Sequence, residues 1–229
     1  MINCDYIEKN FLSTFESALA NIEYEHKGIW FSEMLFIFSI CQYFKPKLLI
    51  ESGRARGQST LCLSHLFPNQ NIISIEHLKD TEDSRIAEKR LMNCKNLMLI
   101  YGDSFYCIKK INYETQFLML IDGPKNEMAI DLAKKVLQNK FCLGVFLHDC
   151  NVGGVERSFE NLHNGFSLFS DDLQFAEKFK YLDSACYNEK RKPYLFGGVK
   201  QKSYGPTVGV FLKPELINDK FLNNFIIQE

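Results

Sequence analysis

Apolar and polar positions fall into blocks along this chain, and their period changes from block to block. Five short runs, Leu48–Ile50, Asn71–Glu76, Leu97–Tyr101, Phe117–Ile121 and Leu143–Leu147, are rich in Leu, Ile, Phe and Met. Runs of this length bounded by turn residues read as buried strands. Between them, apolar residues recur at helical spacing. One helix is predicted from about Ser59 to Phe67, stopped by Pro68-Asn69. A second spans Thr81–Asn93, with Ile86, Ala87 and Leu91 on one side. A third spans Glu127–Leu137, with Met128, Leu132 and Val136 in register. Strands that alternate with helices are parallel and covered on both faces, which makes a doubly wound α/β sheet.

The flanks depart from this rhythm. Residues 3–27 are polar, with Phe11, Leu12, Phe15, Leu19 and Ile22 spaced as on a surface helix that Gly28 breaks. Ser32-Glu33 opens a helix running to about Tyr43, which Lys45-Pro46-Lys47 ends. The apolar stretch Ile29–Phe44 carries Glu33 and Gln42 and is too short to span a bilayer, so it predicts a buried helix. Residues 151–205 lose the alternation and predict irregular structure with one helix near Asp172–Lys180. Thr207–Leu212 reads as a final strand, stopped by Pro214. The length fits one domain: N-terminal helices to 46, an α/β core over 47–150, and a substrate-side region with the last strand over 151–229.

Ligands of such sheets bind at the carboxyl ends of the strands. Here those ends carry Glu51, Glu76, Asp122 and Asp149, and the third strand is followed by Gly102-Asp103. Acid placed repeatedly along one edge is hard to explain by folding alone, because desolvated carboxylates are costly without partners. The first end is the most informative. Glu51-Ser52-Gly53-Arg54-Ala55-Arg56-Gly57-Gln58-Ser59-Thr60 reads as a glycine loop between strand and helix, which lets backbone N–H groups approach a ligand. It is not a P-loop, since the spacing is one short and Gln58 stands where the lysine belongs. It is not a dinucleotide fingerprint, since Ala55 and Gln58 occupy the second and third glycine positions. Arg54 and Arg56 are unusual inside such a loop and are expected to be solvated, with pairing to a ligand carboxylate as the other reading.

The remaining pattern, E-x-G-x-x-x-G with Ser-Thr behind it, resembles motif I of the class I S-adenosylmethionine-dependent methyltransferases. Its closest likeness is to the small O-methyltransferases that include catechol O-methyltransferase. The resemblance covers roughly residues 30–150 plus the last strand. It implies a Rossmann-like sheet with an N-terminal helical extension and a final antiparallel strand. It implies that Glu51, Ser52, Gly53, Gly57 and Ser59 form the methionine side of a cofactor site. Glu76 would accept from the ribose hydroxyls, Asp103-Ser104 would meet the adenine edge, and Asp122 would close the cleft. Asp122-Gly123-Pro124-Lys125 matches a metal-binding Asp with a general-base Lys three positions on. Asp149 fits a second ligand for a divalent metal such as Mg²⁺. The next position, where the family often has Asn as a third ligand, is Cys150 here. The alternative is a metal-independent base, His148. Catalysis is therefore expected from Lys125, His148 and Asp149. A lysine can serve as base only if its pKa is depressed.

Composition adds little that changes this reading. The net charge of −1 favours neither nucleic acid nor an anionic membrane. The eight cysteines form no C-x-x-C pair, and several lie in apolar runs, which suits reduced thiols in a cytoplasmic protein. No basic-then-apolar leader opens the sequence. The expected function is methyl transfer from S-adenosylmethionine to oxygen on a small-molecule or glycan acceptor. A non-catalytic methyltransferase-like partner module stays open because of Cys150. An NAD-dependent oxidoreductase is disfavoured by the glycines missing at 55 and 58. Aromatic residues over 159–204 suit a substrate pocket or a homodimer contact. His26, His65, His77 and His163 have no partner spacing and are expected to be structural or exposed.

Overall fold

A computed structural model describes residues 1–25, 28–186 and 207–227. His26 and the aromatic residues Tyr187, Tyr194, Phe196 and Tyr204 lie outside the described residues. Seven strands form one sheet in the order β3-β2-β1-β4-β5-β7-β6. They are β1 Leu48–Ser52, β2 Asn71–Glu76, β3 Leu97–Tyr101, β4 Phe117–Ile121, β5 Cys142–Leu147, β6 Phe166–Phe169 and β7 Gly209–Leu212. β1 to β5 are parallel, and β7 runs antiparallel to both β5 and β6.

The helices are α1 Cys4–Ile7, α2 Ser13–Leu19, α3 Phe31–Phe44, α4 Gln58–Leu66, α5 Glu82–Leu91, α6 Ser104–Lys110, α7 Glu127–Leu137, α8 Leu173–Phe179 and α9 Asp219–Phe225. One apolar cluster unites α1 to α4, α8 and α9 on one face of the sheet, with α3 at its centre. A second, built on α6 and α7, covers the other face. The core strands therefore lie between two layers, as their uninterrupted apolar runs require. Every residue of α3 from Phe31 to Cys41 is buried, including Glu33.

Four elements differ from the sequence expectation, one of them α9, which has no expected counterpart. The N-terminal segment is no single surface helix: a π turn at Glu8–Leu12 separates α1 from α2, and Ile7, Phe15 and Leu19 are buried. The chain end holds it in place, since Asn3 N–H donates to the Phe225 carbonyl at 2.9 Å and Ile2 bridges Ile226. β6 lies inside the stretch expected to be irregular, where pairing with β7 orders it. α6 had no expected counterpart; Asp103 caps it, accepting from Tyr106 N–H at 2.9 Å.

Candidate active site

The parallel ladders bring the carboxyl ends of β1 to β5 to one edge and continue past the last residues. Gly53 N–H donates to Ile75 O (2.9 Å), Gly102 N–H to Glu76 O (2.9 Å), Asp122 N–H to Ser52 O (2.8 Å) and His148 N–H to Ile121 O (3.0 Å). These bonds fix where the following side chains begin. Gly53 has φ +90°, and a Cβ there would stand 2.4 Å from Gly123 N. The β1 and β4 loops can touch only because this position is glycine.

A cleft of about 280 Å³ opens at this edge. Gly53, Glu76, His77, Asp103, Ser104, Gly123, Pro124 and Met128 line it. It thus gathers four of the expected cofactor residues. Glu76 is oriented by two backbone donors, Ala55 N–H and His77 N–H, each at 2.8 Å. His77, expected to be structural or exposed, lines the cleft beside it.

The other residues of the glycine motif lie beneath the loop. Glu51 is fully buried; it accepts from Ser74 Oγ at 2.7 Å and from Thr60 Oγ1 in a shorter contact. Burial pushes its carboxyl up, against hydroxyl bonds from Ser59, Thr60 and Ser74 and the nearby Arg54 charge, all of which pull it down. Ser52 Oγ reaches Ser104 Oγ at 2.6 Å, and Ser59 is buried. Gly57 caps α4 with φ +79° against Leu91 and Ala87.

Both loop arginines depart from the expected solvation. Arg54 is buried, with Nη1 donating to Ser74 O at 2.8 Å and its guanidinium 4.8 Å from the centre of the Tyr101 ring. Arg56 pairs with Asp83 at 2.7 Å and Glu25 at 3.3 Å, fastening α5 and the residue 20–25 segment to the loop.

A charged cluster flanks the cleft across Gly123-Pro124. His148 Nδ1 lies 3.0 Å from Asp122 Oδ1 and 3.2 Å from Asp149 Oδ1. Its Nε2 lies 3.4 Å from Oε1 of Glu33. These are close charge contacts without aligned hydrogen bonds, and among the described residues both ring nitrogens and Glu33 Oε1 lack a well-directed partner. Lys125 Nζ lies 2.5 Å from Asp122 Oδ1 and equally tight against Asp149 Oδ2. Burial alone would lower the pKa of His148, but Asp122, Glu33 and Asp149 outweigh it and hold the imidazole well above its ordinary value. Burial likewise opposes the charge on Lys125, yet Asp122 and Asp149 raise its pKa. The shift is opposite to the one a lysine base needs. Burial works against ionisation of Asp122 and Asp149, but His148 and Lys125 keep both carboxyls below the usual range.

Two supporting acids carried no expectation of a role in the site. Glu33 caps its own helix, its Oε2 accepting from Trp30 N–H at 3.0 Å, and turns its other oxygen to His148. Buried Glu156 accepts from Asn126 N–H at 2.6 Å and so secures the residue after Lys125. A lone acid inside an apolar helix was the available signal for Glu33, since a buried charge needs a partner. Nothing local marked Glu156.

No protein-family model matches the sequence, and no curated protein matches it. Solved structures do. TomG, an O-methyltransferase of tomaymycin synthesis from Streptomyces achromogenes solved with SAM, superposes with a TM-score of 0.51. The match has 12% identity and covers 91% of this chain and 95% of that one. An O-methyltransferase from Bacillus cereus solved with SAH gives 0.50 at 18% identity, over 91% of this chain and 96% of that one. Cofactor-bound Rv0187 from MTB gives 0.51 at 11% identity, over 92% and 96%. The chain has the class I S-adenosylmethionine-dependent methyltransferase fold. At such identities the likeness carries the fold alone.

Within this methyltransferase fold, the donor sets can be tested against the implied ligands. The cleft suits S-adenosylmethionine: its lining combines carboxylate acceptors, Glu76 at the end of β2 and Asp103 just past β3, with the apolar Pro124 and Met128. A divalent metal fits less well. Asp122, His148 and Asp149 each offer an atom within 4.8 Å of the others. The space between the two carboxylates, however, is taken by the Lys125 ammonium. The third position, Cys150, is buried in the second apolar cluster, its backbone N–H donating to Thr207 O at 2.7 Å. Burial pushes that thiol up to about 12, so it supplies no thiolate near neutral pH.

Proposed function

We propose that this chain is an S-adenosylmethionine-dependent methyltransferase acting on a hydroxyl of a small-molecule or glycan acceptor. The observation that carries the reading is the shared β4–α7 loop: Gly123 and Pro124 line the cleft, while Asp122 and Lys125 on either side of them build the charged cluster. A cofactor in the cleft would thus sit next to groups able to orient an acceptor.

Glu76 would hold the ribose hydroxyls, Asp103 and Ser104 the adenine edge, and Gly53 the methionine end. When bound, S-adenosylmethionine supplies a methyl group on a sulfonium sulfur that leaves as a neutral thioether. The chain supplies position, which is most of what a transfer between two aligned atoms needs. Asp149 is the outermost acid of the cluster, with its side chain 38% exposed. It accepts the acceptor O–H and takes the proton as the C–O bond forms, when the oxygen has become strongly acidic. Lys125 and His148 remain protonated and keep Asp149 ionised for that task. No strong base is required.

The test is transfer of labelled methyl from S-adenosylmethionine to a panel of sugars, polyols and phenols by the full chain. Labelled product with wild type, formed about 100-fold more slowly by Asp149→Asn, supports the reading. Absence of both labelled product and S-adenosylhomocysteine across the panel overturns it. The aromatic residues expected to form a pocket or homodimer contact are core residues over 159–179: Phe159, Phe169, Phe175 and Phe179 are buried, so they offer no dimer surface.

A further inference from the structure

Three carboxylates, Glu33, Asp122 and Asp149, meet two cationic side chains, Lys125 and His148. The ammonium of Lys125 touches one oxygen of Asp122 and one of Asp149, which is where an ion bridging the pair would stand. A divalent ion bound at about 2.1 Å from the same oxygens would lie only a few ångströms from that ammonium. Two like charges at such a separation repel strongly in a partly dry site. The residue after Asp149 supplies no side-chain oxygen in compensation, because Cys150 is buried in the second apolar cluster.

We infer that Lys125 is this chain's own replacement for a divalent cation between Asp122 and Asp149, and that removing its charge opens a cation site the native chain lacks. The buried Glu33 carboxylate supports this from the far side. Its Oε1 is 3.4 Å from His148 Nε2 and has no hydrogen-bond partner among the described residues, so negative charge in the cluster, three carboxylates against two cations, exceeds what two ordinary ion pairs would balance. Lys125 then does more than neutralise. An ammonium has three N–H donors, and two are used on Asp122 and Asp149. The third can address a single acceptor oxygen, whereas a metal would chelate two neighbouring ones. The site therefore needs no neighbouring pair of acceptor oxygens; a single hydroxyl is enough. That last step rests on the methyltransferase reading; the replacement of the cation does not.

Mn²⁺ binding to the full chain, followed by electron paramagnetic resonance at neutral pH, tests the inference. Wild type, Lys125→Ala and Lys125→Met are compared, the last keeping most of the aliphatic stem. Wild type should show no saturable site up to millimolar Mn²⁺. Both variants should bind one ion at least about tenfold more tightly, and Asp149→Asn on either background should abolish the gain. A saturable wild-type site lost in Asp122→Asn overturns the inference. So does the absence of a new site in variants whose circular dichroism is native. S-adenosylhomocysteine binding measured on the same samples separates the two readings: its failure removes the methyltransferase assignment and leaves the metal result standing.

Discussion

Glu51 and Asp149 both sit at carboxyl ends of parallel strands on the same edge of the sheet, yet the chain uses them differently. Glu51 is wholly buried, takes its hydrogen bonds from Ser74 and Thr60, and lies near Arg54. Asp149 is partly open and, among the described charged residues, touches Lys125 and His148. One acid belongs to the foundation of the glycine loop and the other to the open charged cluster, where the proposed chemistry would use it. Position at a strand end selects the edge; depth and partners select the task.

The contrast can be broken most severely at Gly53. Gly53→Ala places a methyl against the Gly123 backbone at a positive φ, and should cost about 4 kcal/mol in urea unfolding. A loss below about 1 kcal/mol would show that the β1 and β4 loops are not locked together. Next comes Glu51→Ala, which strands the hydroxyls of Thr60 and Ser74 and leaves Arg54 uncompensated. About 3 kcal/mol of stability should disappear. Asp149→Asn, by contrast, should leave unfolding within about 1 kcal/mol of wild type. It should slow methyl transfer about 100-fold, equivalent to about 2.7 kcal/mol of barrier, with S-adenosylhomocysteine affinity unchanged. If Glu51→Ala affects only turnover and Asp149→Asn only stability, the two roles have been exchanged.

The smallest effect concerns pH. His148 has a raised pKa in the fold, so its stabilisation is complete below the unfolded value of about 6.5 and is lost as pH rises through the folded value. Asp122 and Asp149 have lowered pKa values, so theirs is complete above about 3.9 and is lost as pH falls through the folded values. Chemical unfolding across pH should thus show a shallow decline on the alkaline side. His148→Gln should remove that decline and leave the acid limb in place. An alkaline slope unchanged in the variant would mean that His148 is neutral in the native protein.

The strands of the core were readable because their apolar runs are continuous and their ends punctuated by acid and glycine. β2, β3 and β4 fall where the pattern puts them. β6 escaped because Phe166–Phe169 is only four residues long and owes its order to β7, far along the chain. The same distance effect governs the site. Asp122, Lys125, His148 and Asp149 could be named because each follows its strand directly. Arg54 was misread as solvated because Ser74 and Tyr101, which bury it, come from the next two strands. Glu33 looked like a mark against membrane insertion, and only the approach of α3 to His148 reveals what it faces. Among the described residues no helix is long and apolar enough to cross a membrane, in line with the buried-helix reading of α3.

Calorimetric titration of the full chain with S-adenosylhomocysteine, with Glu76→Ala in parallel, bears most directly on the cleft as a cofactor site. One ligand per wild-type chain is predicted, weakened at least about tenfold by Glu76→Ala, as the proposed ribose contact of its backbone-held carboxylate requires. No saturable heat at millimolar ligand, or equal affinity in both proteins, would contradict it.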